Sequence, residues 1–334
     1  MDGEGPRIAI NGFGRIGRIV TRILLAGDQP VDLVGINDLT DKPTLAHLFR
    51  YDSVHGRFPG HVEQTDDGLV LDGDRLRVFA EPDPSKGLWS DLEPDLVIEA
   101  SGQFTKRASL QQHLDGGAPR VLVTAPAEAD LMVVRGVNDD AYDSAKHRTV
   151  SNASCTTNCL AVVLKVLQES FGVQSGLMTT VHAATNDQRV VDAPHKDLRR
   201  ARGSLMSMIP TKTGAATAIG KVMPELDGRI DGQAVRVPTS DVSLVDLVAR
   251  LEAAPSVEGL VSAFTAASKG PLEGLLGVTD EPLVSVDFLG DPHSAIVDLP
   301  ALQVKDDLVK VLAWYDNEWG YASRVAEMAH RMAA

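Results

Sequence analysis

The sequence predicts an α/β protein in two parts: a doubly wound parallel sheet in the first half, then an α+β domain with a mixed, mostly antiparallel sheet. Three observations predict it. Up to Val150, short apolar runs alternate with stretches of helical periodicity, as in parallel strands joined by crossover helices. Past Val242 the apolar residues tend to alternate singly, as they do in half-covered antiparallel strands. At 334 residues the chain also exceeds what one core usually organises, so two domains are expected.

Composition excludes several classes. The formal charge of -14, from 46 acidic and 32 basic residues, comes without a basic block able to follow a nucleic-acid backbone, so neither nucleic acid nor an acidic membrane is the expected partner. The first residues lack the basic start and apolar run of a signal peptide, and no stretch approaches the roughly 18 apolar residues of a membrane span. A soluble, cytoplasmic protein is expected. Its only two cysteines, Cys155 and Cys159, stand four apart on one predicted helix, a poor disulfide framework that fits a reducing compartment.

Arg7 to Asn11 is a short apolar run that ends in Gly12, Phe13, Gly14, Arg15, Ile16 and Gly17, after which Val20, Ile23 and Leu24 recur at helical spacing. Strand, glycine turn and helix follow one another. A second strand, Val31 to Ile36, closes on Asn37 and Asp38, and Asp38 follows Gly17 at about the 20-residue distance of an acid that binds a ribose hydroxyl. Gly12 permits the tight turn, Gly14 lets the backbone approach a pyrophosphate, and Gly17 lets helix and strand pack closely. The set predicts a dinucleotide site. An acid at position 38 would repel a 2′-phosphate, which favours NAD over NADP. Further strands at Asp95 to Glu99 and Arg120 to Thr124 end in Ser101 and Thr124, placed where an open α/β sheet has its ligand crevice; a plain turn is the other reading of each.

Ser151 to Cys159 then runs into an apolar helix carrying Leu160, Val163, Leu164 and Leu167. Cys155 falls in its first turn, where Ser154 or a neighbour can cap the helix and where the positive end of the helix dipole favours thiolate. The alternative is a small buried hydrophobe. Gly176 to His182 reads as a strand that delivers His182, the base or cation a nucleophilic cysteine needs, or else a structural histidine. Gln188 to Ile209 reads as a long basic loop with Lys196, Arg199, Arg200 and Arg202, functional or merely solvated. Thr213 and Gly214 open another helix and could present N–H groups to an anion. Arg236 lies opposite Val235 and Val237 on a strand and could equally be its wet side. Alternating stretches at Val242 to Leu251 and Leu283 to Phe288, a helix near Val257 to Ala267, a strand from Leu308 to Tyr315 and a closing amphipathic helix complete the second half.

These residues together resemble the glyceraldehyde-3-phosphate dehydrogenases of the phosphorylating, NAD-dependent type. The likeness runs in order through Asn11–Arg18, Tyr51–Gly56, Ser151–Cys159, Thr185–Arg189, Asp197–Arg202, Arg236–Thr239 and Trp314–Glu318. It implies a homotetramer with a Rossmann domain over residues 1–154, a catalytic domain over 155–317 that includes an S-shaped loop at about 183–209, and a last helix, 318–334, completing the first domain. It implies Cys155 as nucleophile and His182 as the group that activates it. Ser154, Thr156, Thr213 and Gly214 match positions around inorganic phosphate. Thr185, Asp187 and Arg236 match those holding the substrate's own phosphate, and Arg200 a further anion-binding arginine, with Arg202 as the alternative if the loop register slips by two. Arg15, Ile16, Asp38, Thr124, Asn317 and Tyr321 match cofactor-side positions, and Ser101 stands where a threonine is common. Asn317 would hold the nicotinamide carboxamide.

The implied activity is oxidation of a small phosphorylated aldehyde with NAD and inorganic phosphate, without a metal, through a cysteine thiohemiacetal and thioester. Pro82, Ala184 and a shortened segment after Ala127 depart from the commonest pattern; Leu39 and the Ala193–Pro194 pair agree with the NAD-preferring branch. The rival expectations are an erythrose-4-phosphate dehydrogenase and a catalytically idle NAD-binding scaffold. Cys159, one turn past Cys155, is expected to pack rather than to form a disulfide.

Overall fold

A computed structural model describes residues 5–334. Residues 1–4, on which the expected absence of a leader partly rests, lie outside the described residues. The chain divides into two units, the first built from residues up to Val133, Asp140–Ala153 and Ala322–Ala334, the second from Val134–Asp139 and Ser154–Tyr321.

The first unit opens with β1 (Arg7–Asn11), α1 (Arg15–Ala26) and β2 (Asp32–Asn37), then α2 (Lys42–Arg50) and a small ribbon, β3 (Tyr51–Asp52) and β4 (Gly56–Arg57). It continues through β5 (Val62–Gln64), β6 (Gly68–Leu71), β7 (Asp74–Phe79), β8 (Leu96–Glu99), α3 (Arg107–Asp115), β9 (Val121–Val123), β10 (Leu131–Met132) and β11 (Thr149–Ser151). Nine of these strands form one sheet in the order β10-β11-β9-β8-β1-β2-β7-β6-β5. The pairings from β10 to β7 are parallel, and β6 and β5 add an antiparallel edge. β8 and β9 are buried at every position, which is why they read as apolar runs, interrupted only by Glu99 at the end of β8. Both α1 and β1 point their ends at the glycine turn between them, and α1 buries Ile19, Val20 and Leu24 on one face.

The second unit begins with α4 (Cys155–Phe171), followed by β12 (Val173–Ala183), β13 (Ile209–Lys212), α5 (Ala215–Val222), β14 (Ile230–Val237), β15 (Ser243–Leu251) and α6 (Val257–Ser268). β16 (Leu276–Thr279), β17 (Ala295–Asp298), β18 (Gln303–Lys305) and β19 (Leu308–Tyr315) complete its sheet, ordered β13-β14-β12-β15-β19-β17-β16 with β18 on β19. Two pairings are parallel, β12 with β14 and β16 with β17; the others are antiparallel. The parallel register sets His182 directly beside Arg236, and the antiparallel register of β15 with β19 sets Ser243 beside Tyr315. The final helix, α7 (Trp319–Ala333), starts in the second unit, and from Ala322 its residues belong to the first, where Arg120 Nη1 donates to Met332 O at 2.7 Å.

One expected strand is absent. Leu283 to Phe288 alternates like a strand, but Ser285–Phe288 is a turn of 3-10 helix, because the Asp287 carboxylate accepts the Val284 N–H at 2.8 Å and folds the segment back. Only Phe288 is buried, stacked on Trp314 with ring centroids 5.4 Å apart, while Val284 and Val286 face solvent.

Candidate active site

In the first unit the glycine turn has the shape that a dinucleotide needs. Gly12 has φ +90, and a Cβ there would lie 2.5 Å from the Ser101 backbone. A Cβ on Gly17 would lie 2.2 Å from Gly12 O, so the start of α1 closes onto the turn only without a side chain. Gly14 has open space where its Cβ would be, leaving room for a ligand at the helix start. Asp38 accepts the Phe13 N–H at 2.7 Å and the Thr40 N–H at 2.9 Å, so the same carboxylate that would meet a ribose also braces the turn. Gly12, Gly14 and Asp38 line a cavity of about 480 Å³ with Leu39, Pro82, Ser101 and Phe104. Arg15 is paired with Asp52, Ile16 is half-buried beside it, and Thr124 N donates to Glu99 O at 2.9 Å.

Beneath this cavity lies a buried network that sequence reasoning did not single out. Glu99 accepts from Ser101 N and Oγ at 2.8 and 2.5 Å on one oxygen and from Asn11 Nδ2 at 2.5 Å on the other, which also lies 3.1 Å from His113 Nε2. Trp89 Nε1 donates to His113 Nδ1 at 3.2 Å. An indole N–H can only donate, so Nδ1 is the acceptor and the imidazole proton sits on Nε2, facing Glu99. The signal in the sequence was a glutamate at the end of an otherwise apolar strand.

In the second unit Ser154 caps α4, its Oγ accepting from Thr157 N at 3.1 Å, and Cys155 takes the first helical position, half-buried. The backbone just before the cap is in the left-handed region, with φ +54 at Ala153. Cys155 Sγ is 3.5 Å from His182 Nε2 at the end of β12. His182 Nδ1 is 2.8 Å from Ala183 O and 2.7 Å from Arg236 Nη1, and Arg236 Nη1 also donates to Ala183 O at 3.1 Å. Thus Arg236 is no wet side of a strand; its guanidinium closes over the histidine.

The charge states differ from what the helix terminus alone predicts. Burial pushes the Cys155 thiol up, more than offsetting the downward pull of Arg236 and of the Thr156 hydrogen bonds. Burial, with Arg236 next, lowers His182 to about 3, so the imidazole is neutral at physiological pH. Burial therefore works against the thiolate that the helix start favours, for ionisation into solvent. Transfer of the thiol proton to His182 is a different step, because it creates a close ion pair instead of an isolated buried charge.

The expected anion-binding residues divide. Arg200 sits beside the cluster, paired with Asp187 and donating to Thr211 Oγ1 at 2.9 Å and Lys212 O at 3.1 Å. Burial pushes the Asp187 carboxyl up, but hydrogen bonds from Arg200 and His195 hold it below its ordinary range. Arg202 points elsewhere, to Asp192 at 3.0 Å on an exposed stretch, so the loop register favours Arg200. Thr185 N and Oγ1 both donate to the buried Gln188 Oε1, at 2.8 and 3.1 Å. Thr213 Oγ1 accepts from Ala215 N at 3.2 Å and Gly214 caps α5, two residues past Lys212. Thr156 is buried, and its hydroxyl is shared with Tyr315 at 2.9 Å rather than turned outward.

Two residues that the sequence did not flag hold the cluster together. Tyr315, fully buried on β19, hydrogen-bonds to Thr156 Oγ1 on α4 and, at 2.8 Å, to Thr180 Oγ1 on β12, while its ring meets the His182 ring edge-on at 6.0 Å. Ser243 Oγ accepts from Ala183 N at 3.1 Å and donates to Asn317 Oδ1 at 2.5 Å, so the Asn317 amide has its oxygen turned inward and its NH₂ turned away from Ser243. Val242, just before it, has φ +65, a conformation that a β-branched residue adopts only under constraint. Tyr321 is buried in the first turn of α7. Cys159 is buried and free, its Sγ 3.9 Å from Ala313 O.

A glycine cradle on a parallel sheet in one unit, and a cysteine, a histidine and an arginine gathered at the head of a helix in the other, define a nucleotide-binding protein with thiol chemistry. The description "Glyceraldehyde 3-phosphate dehydrogenase, NAD binding domain" matches residues 6–107, and the C-terminal domain of the same family matches residues 154–317. The chain is 51% identical over 330 residues to glyceraldehyde-3-phosphate dehydrogenase 1 of Bacillus cereus and 50% identical to the glyceraldehyde-3-phosphate dehydrogenase of Geobacillus stearothermophilus, with 98% of each chain covered. To glyceraldehyde-3-phosphate dehydrogenase 2 of Streptomyces arenae it is 51% identical, with 97% of each chain covered. The chain belongs to the glyceraldehyde-3-phosphate dehydrogenase family.

Proposed function

We propose that the chain catalyses the phosphorylating oxidation of D-glyceraldehyde 3-phosphate with NAD and inorganic phosphate, giving 1,3-bisphosphoglycerate and NADH. The observation that carries this reading is Cys155 Sγ at 3.5 Å from His182 Nε2, at the start of α4 and under the guanidinium of Arg236. Cys155 thiolate attacks the aldehyde carbon, forming the carbon–sulfur bond of a thiohemiacetal. His182 Nε2 takes the hydroxyl proton as the carbonyl re-forms, a general-base contribution worth roughly 10²–10⁴-fold. NAD, when bound, supplies the oxidant by accepting a hydride. Gly12, Gly14, Arg15, Ile16, Gly17, Asp38, Ser101 and Thr124 would hold it in the first unit, with Asn317 and Tyr321 assigned to its nicotinamide side. Inorganic phosphate then attacks the thioester carbonyl and Sγ leaves as thiolate. Arg236, Thr185 and Asp187 are assigned to the substrate phosphate, and Ser154, Thr156, Thr213, Gly214 and Arg200 to the attacking phosphate. Arginine suits these places because its planar fork grips two phosphate oxygens together.

We place the NAD-binding domain at residues 1–154 with the helix 318–334, and the catalytic domain at 155–317. A homotetramer is supported by apolar side chains that a lone chain leaves in water: Met206, 89% exposed, with Val191, Leu198, Leu205 and Met208 on the basic loop. A cytoplasmic location is supported by two unpaired cysteines. Among the described residues no helix is long and apolar enough to cross a membrane.

The test is NADH formation from glyceraldehyde 3-phosphate with and without inorganic phosphate. Steady turnover that needs phosphate is the expected result. Turnover equally fast in water with erythrose 4-phosphate would favour the rival dehydrogenase, and no NADH with either substrate would sink an enzymatic role.

A further inference from the structure

Two strand ends in the second unit are joined by one hydroxyl. β12 and β15 stop pairing at Val181 opposite Leu244, and past that point Ser243 Oγ, in place of a backbone carbonyl, accepts the Ala183 N–H at 3.1 Å. Val242, the residue before Ser243, has φ +65, and a β-branched residue keeps that conformation only where its surroundings impose it. Ser243 is 1% exposed, so its hydroxyl proton needs an acceptor inside the protein. Asn317 Oδ1, at 2.5 Å, is that acceptor.

The hydroxyl thereby decides which way round the Asn317 amide sits. A serine oxygen carries one proton and two lone pairs. Ala183 N–H occupies one lone pair. An amide turned the other way would set its NH₂ on the second and leave the serine proton buried without an acceptor, which costs more than a typical hydrogen bond gains. With Oδ1 held by Ser243, the NH₂ of Asn317 makes no hydrogen bond among the described residues, although the residue is only 5% exposed. Two protons on a nearly buried side chain call for an acceptor. The carboxamide of a nicotinamide ring offers both a carbonyl oxygen and an NH₂, so by turning over it could answer either end of an asparagine. Ser243 removes that freedom.

We propose that Ser243 is a positioning residue for the cofactor: by holding Asn317 Oδ1 it leaves the asparagine only an NH₂ to offer, so that the site takes the nicotinamide ring by its carbonyl oxygen and not by its amino group. Ser243 acts through Asn317. The same serine oxygen holds the N–H of Ala183, the residue after His182, so one hydroxyl ties the group assigned to the cofactor ring to the strand end that carries the histidine. This deepens the proposed reaction and rests on its assignment of Asn317 to the nicotinamide side.

The experiment is calorimetric titration of the full chain, without aldehyde, by two NAD analogues and by ADP-ribose. One analogue carries an acetyl group in place of the carboxamide and only accepts; the other carries an amino group there and donates. ADP-ribose lacks the ring and sets the baseline. Two donors face to face forfeit at least one hydrogen bond, so the wild type should bind the acetyl analogue about tenfold tighter than the amino analogue. Ser243→Ala frees the amide to turn over, and the gap should shrink to about threefold or less while ADP-ribose affinity stays within about twofold. Ser243→Cys keeps the side chain's shape with only a weak donor and should narrow the gap as well. Asn317→Asp presents only acceptor oxygens and should reverse the order of the two analogues. A full gap in both serine variants overturns the proposal. So does an ADP-ribose affinity that falls in step with the analogues, because Ser243 would then be a structural residue only. No gap in the wild type and no reversal in Asn317→Asp would overturn the assignment of Asn317 along with it. None of these readings uses turnover, so NADH formation from glyceraldehyde 3-phosphate judges the reaction separately.

Discussion

His182→Asn isolates what the histidine contributes to the reactive thiol. Asparagine leaves a polar group near the old Nδ1 position, beside Ala183 O and Arg236 Nη1, and removes only the far side of the ring, where Nε2 stands 3.5 Å from Cys155 Sγ. A hydrogen bond to a charged partner contributes about 1.5–3 kcal/mol. At about 1.4 kcal/mol per pKa unit, losing it from the thiolate raises the pH midpoint of alkylation by roughly 1–2 units. The sign follows from which form loses its donor: only the thiolate does, so ionisation becomes harder. The assay is the initial rate of iodoacetamide labelling against pH, read by mass spectrometry on the peptide that carries both cysteines. Fragment ions separate the two sites, and buried Cys159, whose thiol burial pushes well up, serves as the unreactive control. A midpoint that stays in place would mean that the helix start and Arg236 tune Cys155 without the histidine, and the base assignment would fall with it.

Cys155→Ser should abolish aldehyde oxidation while NAD affinity, measured by quenching of tryptophan fluorescence, stays within about twofold; retained turnover would refute the nucleophile. Asp38→Ala removes both the acid assigned to the ribose and the acceptor of the Phe13 N–H, so the preference for NAD over NADP in kcat/KM should narrow by at least about tenfold, the loss of roughly 1.4 kcal/mol of discrimination, and an unchanged ratio would count against that assignment. Tyr315→Phe deletes an oxygen bonded to two buried threonine hydroxyls and should lower stability by about 2 kcal/mol in urea titration, at about 1 kcal/mol per bond; a loss under half that would mean that the threonines re-pair. His182 titrates at about 3 in the fold against an ordinary 6.5, so between those values the unfolded chain binds more protons. Its share of stability is complete above about pH 6.5 and is lost on acidification at up to about 1.4 kcal/mol per pH unit. The wild type should therefore lose stability from pH 6.5 to 5 more steeply than His182→Asn, and equal slopes would show the histidine to be ordinary in the fold.

The fold was legible where one strong local signal decided an element. Buried parallel strands such as β8 need apolar residues on both faces, and Gly12 and Gly17 occupy places where a Cβ would collide with backbone, so composition and position announce them together. Leu283 to Phe288 shows the converse. Its alternation satisfies the strand pattern, but a single side chain, Asp287 on the Val284 N–H, decides the backbone, and periodicity carries no information about that bond. The bounds of the two units escape the sequence for a similar reason. Val134–Asp139 groups with the second unit although it lies within the first half of the chain, and at Gly136 it packs so closely on Leu272 and Leu275 that a Cβ would lie 2.4 Å from Leu275 Cδ1.

In the site, residue type revealed the chemistry and hid the support. Cysteine at a helix head, histidine at a strand end and arginine on a strand are visible because few residues do what they do. Tyr315 and Ser243 are common residues made important only by register: β15 pairs with β19 so that Ser243 lies opposite Tyr315, and β12 carries Thr180 and Ala183 to meet them. Proton affinity was the other quantity out of reach. The helix start argues for thiolate and can be read in the sequence, whereas the burial that opposes it depends on what packs over α4. The two facts are reconciled by where the proton goes. A thiol that loses its proton to water leaves a lone buried charge, and burial opposes that. Passing the proton to His182 leaves a contact pair, and the same burial then strengthens the attraction between its members. Burial in this site therefore opposes a thiolate formed into water and favours one formed against the imidazole, which makes the 3.5 Å approach of His182 Nε2 to Sγ part of the thiol's chemistry alongside the helix start.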